Sequence, residues 1–365
     1  MQRLVRTLRF TGKLALAATA TLVMLELALR LFAPVDRLSY IPNTYDPQIG
    51  IRQIPSARGF IRCPEYAIDL IINDHGLRDR DYPYAKPSGT RRILCLGDSF
   101  TNGFGVAATE TFAKQLEAAL AGAAPDSGAR GAPRWQVLNA GVAATGTAHQ
   151  LAWFEHEGFR YAPDIVLLTV SPNDFADNAS SGLYSLDANG RLTAHPAPRS
   201  RALKLLRLSR HLPGYVSILS HTQLLNAAKE LFARRYHARR IAAGRGGLSA
   251  AEAFPAQLRL TMALIERLAV AAAARGAQLA VMLVPPLPGA PPAEREMELL
   301  AAALRDGGYA LIDPRPRFAE LTRRGVETNY PVDGHWTAAG HAAAAAAILG
   351  WLREEAGRPS AALSR

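Results

Sequence analysis

Cysteine is scarce in this chain of 365 residues: Cys63 and Cys95 are the only two. They are compatible with an oxidising compartment and allow at most one bridge, but Cys95 lies inside the apolar run ILCL and reads as a small buried hydrophobe, which leaves the pair unbonded. Internal repeats are absent, which excludes a solenoid or a repeat array. Acids are missing from the first thirteen residues, where Arg3, Arg6, Arg9 and Lys13 are the only charged side chains. Residues 14–25 alone have the length of a signal-peptide apolar core, but no small-x-small cleavage site follows them before Pro34, which argues against a removed signal peptide. With 49% of residues hydrophobic, disorder is excluded and a sizeable core is expected.

The apolar run, LALAATATLVMLELALRLFA, covers residues 14–33, long enough as a helix to cross a hydrocarbon core of about 30 Å. Its two charges, Glu26 and Arg30, are spaced i to i+4 with the acid first. They can therefore pair on one helical face while Arg30 snorkels towards the interface. Four basic residues precede the run and only Arg30 and Arg37 lie near its far end, so the positive-inside rule keeps residues 1–13 in the cytoplasm. The expectation is a single-pass anchor in the inner or plasma membrane with everything after it outside. The net charge of +11 is concentrated: residues 199–245 carry eleven Lys and Arg against one acid, Glu230. A solvated helix face is the plain reading of such a stretch, and a surface towards anionic lipid or an anionic polymer is the functional one. An extracytoplasmic domain has no nucleic acid to meet, so none is expected as a partner.

Residues 34–90 are rich in Pro, Arg and Tyr without a clear period and read as a stalk or irregular lead-in with one short strand, YAIDL. From residue 91 strand-length apolar runs (91–97, 135–141, 164–170, 278–284 and 309–313) alternate with helix-length segments (108–122, 147–160, 249–275, 292–305 and 337–355). Strands apolar nearly throughout, alternating with helices, predict a mostly parallel sheet covered on both faces. Residues 178–247 form an insertion: the segment SLDANGRLT predicts a hairpin turning at Asn189-Gly190, then comes the basic stretch, and GRGG closes it. Residues 121–133 and 285–292 read as loops, and 356–365 as a frayed tail.

In an open parallel sheet, ligands bind beyond the carboxyl ends of the strands. Three polar clusters fall there. GDSFTNG puts Ser99 where a helix begins and free N–H groups face any developing negative charge. NAGVAATG offers Gly141, which lets the backbone come close to a ligand. SPNDFADN offers the Asn173 amide, with Asp174 to anchor the loop. A serine hydroxyl needs a base, and the base an orienting acid; YPVDGHWTAAGH supplies His335 and Asp333 before the last helix.

Taken together, GDSFTNG, Gly141, Asn173 and DGHW resemble the four blocks of the SGNH (GDSL-type) hydrolases, over about residues 91–355. The resemblance implies a three-layer α/β/α sandwich. It also implies Ser99 as nucleophile, His335 as general base, Asp333 as its partner, and an oxyanion hole from the Ser99 N–H, the Gly141 N–H and the Asn173 side chain, with no metal and no cofactor. Two positions depart from the pattern. Ser171 stands where the third block has glycine, and Asp333 is two residues before His335 instead of three, an arrangement similar to relatives that handle acetyl groups on secreted polysaccharides. The lead-in INDHGLRDRDY and the segment LELALRLF also resemble membrane-tethered bacterial members.

The bland readings are Ser99 as an N-cap only, or His335 with Asp333 and His341 in a metal site, although a helix starting at Thr337 would carry His341 a turn inside it. The Gly-x-Ser-x-Gly elbow does not fit, because position 101 is Thr. The implied activity is that of a serine esterase on O-acyl groups of an envelope carbohydrate or lipid. The alternatives are an O-acetyltransferase of a polysaccharide, or an inactive glycan-binding scaffold.

Overall fold

The computed structural model describes residues 2–34, 37–122, 134–198, 214–287 and 289–357. The basic N-terminus and apolar run form one helix, α1 (Gln2–Phe32), of which Arg9–Phe32 is long and apolar enough to cross a membrane.

The lead-in departs from the stalk expected of it. It folds into β1 (Leu38–Tyr40), β2 (Asn43–Asp46), β3 (Gly50–Gln53), β4 (Arg58–Arg62) and β5 (Ala67–Ile71). β1-β4-β5 make an antiparallel sheet and β2-β3 a hairpin. The strands are only three to five residues long, too short for their alternation to emerge among Pro and Gly, but β5 alternates strictly, with Ile68 and Leu70 buried and their neighbours exposed. Ile61 and Leu70 then pack with Phe104 and Ala143 from the main domain.

The central sheet is built from β6 (Thr90–Leu96), β7 (Arg134–Asn139), β8 (Ile165–Val170), β11 (Gln278–Leu283) and β12 (Ala310–Ile312), all parallel, in the spatial order β12-β11-β8-β6-β7. Because side chains alternate along a strand, Leu94 and Leu96 of β6 enter one core and Ile93 and Cys95 the other. The first face is covered by α4 (Thr147–His156), α8 (Ala250–Ala273) and α9 (Pro291–Asp306) through residues such as Leu151, Leu264 and Leu300. The second is covered by α3 (Phe112–Gly122), α10 (Arg315–Arg323) and α11 (Ala338–Gly357) through Leu116, Phe318 and Ile348. This is the three-layer α/β/α sandwich. Each fully buried leucine adds about 1.5–3 kcal/mol, and β8 is buried at all six positions.

Cys95 is fully buried and both cysteines are free, as the ILCL reading anticipated. The hairpin is β9 (Tyr184–Leu186) and β10 (Leu192–Ala194), turning through Asp187–Gly190, with Gly190 at φ 76°. Of the basic stretch, 199–213 lies outside the described residues, as do 123–133 and 358–365 of the loop and tail. The rest forms α6 (Tyr215–His221) and α7 (Gln223–Gly244), and α7 packs on α1.

Candidate active site

In this strand order the chain leaves β6 for one side of the sheet and then returns to its other side for β8, so the crevice beyond the carboxyl ends of β6 and β8 is the topological switch point. Ser99 follows β6 and opens the short helix α2 (Ser99–Asn102). Asp98 caps it, Oδ1 accepting from the Phe100 N–H at 2.9 Å, and Gly103 ends it at φ 88°, a left-handed conformation suited to glycine. The fully buried Arg78 braces the far end, donating to the Asn102 carbonyl at 2.9 Å and the Val106 carbonyl at 2.8 Å. Burial lowers its guanidinium to about 10, which leaves it charged at neutral pH. Ser99 thus sits at the first turn of a rigid helix, where N–H groups have no intrahelical acceptor.

His335 and Asp333 lie on a tight loop before α11. The Tyr330 N–H donates to the His335 carbonyl at 2.8 Å, the Gly334 N–H to the Tyr330 carbonyl at 2.9 Å, and Gly334 takes φ 81°. The fully buried Trp336 anchors the loop against Phe318 and His341. His335 Nε2 stands 2.8 Å from Ser99 Oγ and His335 Nδ1 is hydrogen-bonded to Asp333 Oδ1, so one ring bridges serine and carboxylate. The rings of Phe100 and Phe104 pack against the imidazole, with centroids at 5.0 and 5.3 Å.

The lead-in holds the acid in place. Arg37 donates to Asp333 Oδ2 at 3.0 Å, and the Glu65 carboxylate accepts the N–H groups of Val332 and Asp333 at 2.8 and 2.7 Å. Burial alone would raise the Asp333 carboxyl, but the His335 hydrogen bond and charge, then Arg37 and Tyr66, bring it below the ordinary carboxylate range. Asp333 is therefore a carboxylate at neutral pH, able to fix the His335 tautomer with its proton on Nδ1 and a lone pair on Nε2 towards Ser99.

Gly141 and Asn173 are brought to the same crevice, on the loops after β7 and β8, with their donors engaged. The Gly141 N–H donates to Asn139 Oδ1 at 3.1 Å, and its carbonyl accepts from Asn102 Nδ2 at 2.8 Å. A Cβ at Gly141 would lie 2.3 Å from the Asn102 nitrogen, so the close approach this glycine permits is to α2 itself. Asn173 stands beside α5 (Asp174–Ser181), its Nδ2 directed to Asp98 Oδ2 at 3.3 Å and Asp177 Oδ2 at 3.0 Å. Ser171, the departure in the third block, lies between two buried acids, its Oγ 2.7 Å from Asp98 Oδ2 and 2.9 Å from Asp174 Oδ1. Burial, then the charge of Asp98, raises Asp174 well above the ordinary range. One hydroxyl hydrogen cannot serve both oxygens, and a protonated Asp174 resolves the contact.

His341 does not join His335 and Asp333. α11 begins at Ala338, His341 is fully buried, and its Nδ1 accepts from the Phe112 N–H at 3.1 Å. Among the described residues no group of three or more His, Cys, Asp or Glu is arranged to hold a metal. Arg37, Glu65, Tyr66 and Arg78 were not anticipated from the sequence. Only the lead-in's likeness to tethered family members pointed to that region.

No family model matches the chain, and no curated protein matches it. Among solved structures it is similar to TesA, at 15% identity over 72% of this chain and 99% of that one, with a TM-score of 0.40. It is similar to a lipolytic protein of the G-D-S-L family from Veillonella parvula, at 13% identity over 72% and 97% of the two chains, TM-score 0.39. A catalytic mutant of the acetylxylan esterase Axe2 from Geobacillus stearothermophilus matches at 13% identity over 73% and 96%, TM-score 0.43.

Proposed function

We propose that the protein is a serine esterase of the SGNH type, acting through an acyl-enzyme on O-acyl groups of a carbohydrate or lipid in the cell envelope, with α1 as an uncleaved anchor and the remainder outside the membrane. The observation that carries this reading is the 2.8 Å contact of Ser99 Oγ with His335 Nε2, continued through Nδ1 to Asp333. Ser99 attacks the ester carbonyl as His335 takes its proton; the imidazolium, stabilised by Asp333, then returns that proton to the leaving alcohol oxygen. A water enters, gives its proton to His335, attacks the acyl-enzyme and releases the carboxylic acid as Ser99 is reprotonated. The Ser99 amide is the first oxyanion donor. Gly141 and Asn173 join it by exchanging their internal acceptors for the oxyanion, a stronger acceptor than either amide or carboxylate partner in a water-poor crevice.

The test is covalent. The full chain in detergent is expected to react with a fluorophosphonate probe, and Ser99→Ala is expected to lose the labelling; wild-type labelling of Ser99→Ala would remove Ser99 from the nucleophile's role.

A further inference from the structure

A cavity of about 300 Å³ lies between the lead-in hairpin and the insertion, outside the catalytic residues. That volume is at the lower end of the range for small-molecule sites. Its inner wall is β2-β3, through Asn43, Tyr45 and Ile51. Its outer wall is the helix pair α6-α7, through Tyr215, Leu219 and Phe232. Along α7 the lining positions Lys229, Phe232, Ala233, Tyr236 and Arg240 keep helical spacing, so one stripe of the basic helix faces inwards.

Apolar and aromatic side chains, among them Ile41, Ile51, Leu219 and Phe232, supply most of the wall, with polar side chains set among them. At the floor stand Asn43, His149 and Asp177. Asn43 Nδ2 donates to the Ala143 carbonyl at 3.0 Å, on the loop that follows Gly141, and Asp177 accepts from Asn173. That floor therefore adjoins the two loops that bring Gly141 and Asn173 to Ser99. Asn43 Oδ1 is buried there with no donor among the described residues. Three polar groups of the walls are already engaged: Tyr45 donates to the Ala197 carbonyl at 2.7 Å, Lys229 to Asn226 at 3.0 Å and Arg240 to the Ser180 carbonyl at 2.6 Å. Because most of the wall is apolar, a sugar buried in this space would set most of its hydroxyls against carbon, which is costly. A hydrocarbon chain has no hydroxyls to leave unpaired.

The outer wall is also tied to the anchor. The Glu26 carboxylate of α1 accepts the N–H groups of Gln223 and Leu224 at 3.0 and 2.8 Å, capping α7, and Arg30 reaches the His221 carbonyl. Glu26 lies six residues before the end of α1, about 9 Å along the helix. The α6-α7 junction is thus drawn level with the outer part of the span, and Val216, Ile218 and Leu225 beside it are exposed.

From this arrangement we infer that the cavity takes the hydrocarbon chain of an amphiphile resident in the membrane, entering past α6-α7, with its polar, ester-bearing end at the Asn43 floor beside Ser99. The inference deepens the esterase reading by naming an acyl lipid as the substrate class, and the binding experiment is independent of turnover.

The full chain, as Ser99→Ala in lipid nanodiscs, is irradiated with a diazirine-bearing lauric acid and the label is located by mass spectrometry. Labelling of the peptide spanning residues 43–51 is expected, saturable by unlabelled lauric acid. Filling the cavity with Ala233→Trp is expected to reduce it about tenfold. With wild-type catalysis, the preference for lauroyl over acetyl esters is expected to fall in Ala233→Trp and to move to longer chains in Phe232→Ala, which opens the wall. Absent or unsaturable labelling of 43–51, labelling equal in Ala233→Trp, or competition by an oligosaccharide in place of lauric acid overturns the inference. A saturable label in a protein that turns over no ester would instead remove the esterase reading and keep the cavity.

Discussion

Asp333 shares its two oxygens between His335 and Arg37, while Glu65 takes the amides beneath it. This division compensates for an acid two residues from its histidine: a carboxylate so close in sequence is kept in line only if its second oxygen is pinned. Asp333 is 9% exposed and Arg37 28%, so their attraction is only partly screened by solvent. Replacing Arg37 with Met removes one of the influences that hold Asp333 below the ordinary carboxylate range, so its pKa rises. The sign is fixed: the acid limb of the pH–rate profile moves to higher pH. Activity at neutral pH is expected to fall about tenfold, or ~1.4 kcal/mol of transition-state stabilisation, with Arg37→Lys recovering most of it. The measurement is kcat/KM for a water-soluble ester from pH 4 to 8. A loss of activity with an unmoved acid limb would show that Arg37 supports the fold and not the acid.

At the scale of elements, two helices of the central domain carry buried imidazoles. His149 on α4 is 5% exposed and close to the Gly146 N–H, and His341 on α11 is fully buried. Burial, with the nearby charges of Arg240 and Arg78 respectively, lowers both to about 3 from an ordinary 6.5. Between those values the unfolded chain binds protons that the folded one refuses. The stability is therefore complete above pH 6.5 and is lost as pH falls towards 3, by about 1.4 kcal/mol per pH unit for each histidine. His341→Gln is expected to remove one histidine's share of that slope in urea unfolding of the full chain at successive pH values. An undiminished slope would mean that His341 is protonated in the folded state. The same helices show what the sequence made legible. α3, α4, α8, α9 and α11 and the five central strands fall close to their expected spans, because long apolar runs and caps such as Ser249 with Glu252 declare them. α10 was not legible: nine residues with Phe318 as its one buried side chain give no period. Ser99, His335 and Asp333 were legible because each sits in a local motif. Arg37 was not, since its contact with Asp333 spans 296 positions and local spacing does not encode which charge crosses that distance.

For the molecule as a whole, α1 and the insertion are joined through Glu26. An acid inside an apolar span is costly unless it is paired, and here it is paired three ways, with Arg30 and with the first two amides of α7. On the proposed reading of α1 as an anchor, Glu26 sets how far the α6-α7 pair, and with it the lead-in and Ser99, stands from the bilayer. Lys229, whose ammonium also bonds the Ser39 carbonyl, carries the constraint from α7 into β1, two residues beyond Arg37. Removing a helix cap costs about 1 kcal/mol, and local opening reports that loss directly as faster amide exchange. In Glu26→Ala, measured on the full chain in nanodiscs by hydrogen exchange, the peptide containing Gln223 and Leu224 is expected to exchange about fivefold faster. Arg30→Ala is expected to have a smaller effect, because it leaves the carboxylate on the two amides. Identical exchange in wild type and Glu26→Ala would mean that α7 holds its N-terminus without α1, and that Glu26 does not set the proposed distance between Ser99 and the bilayer.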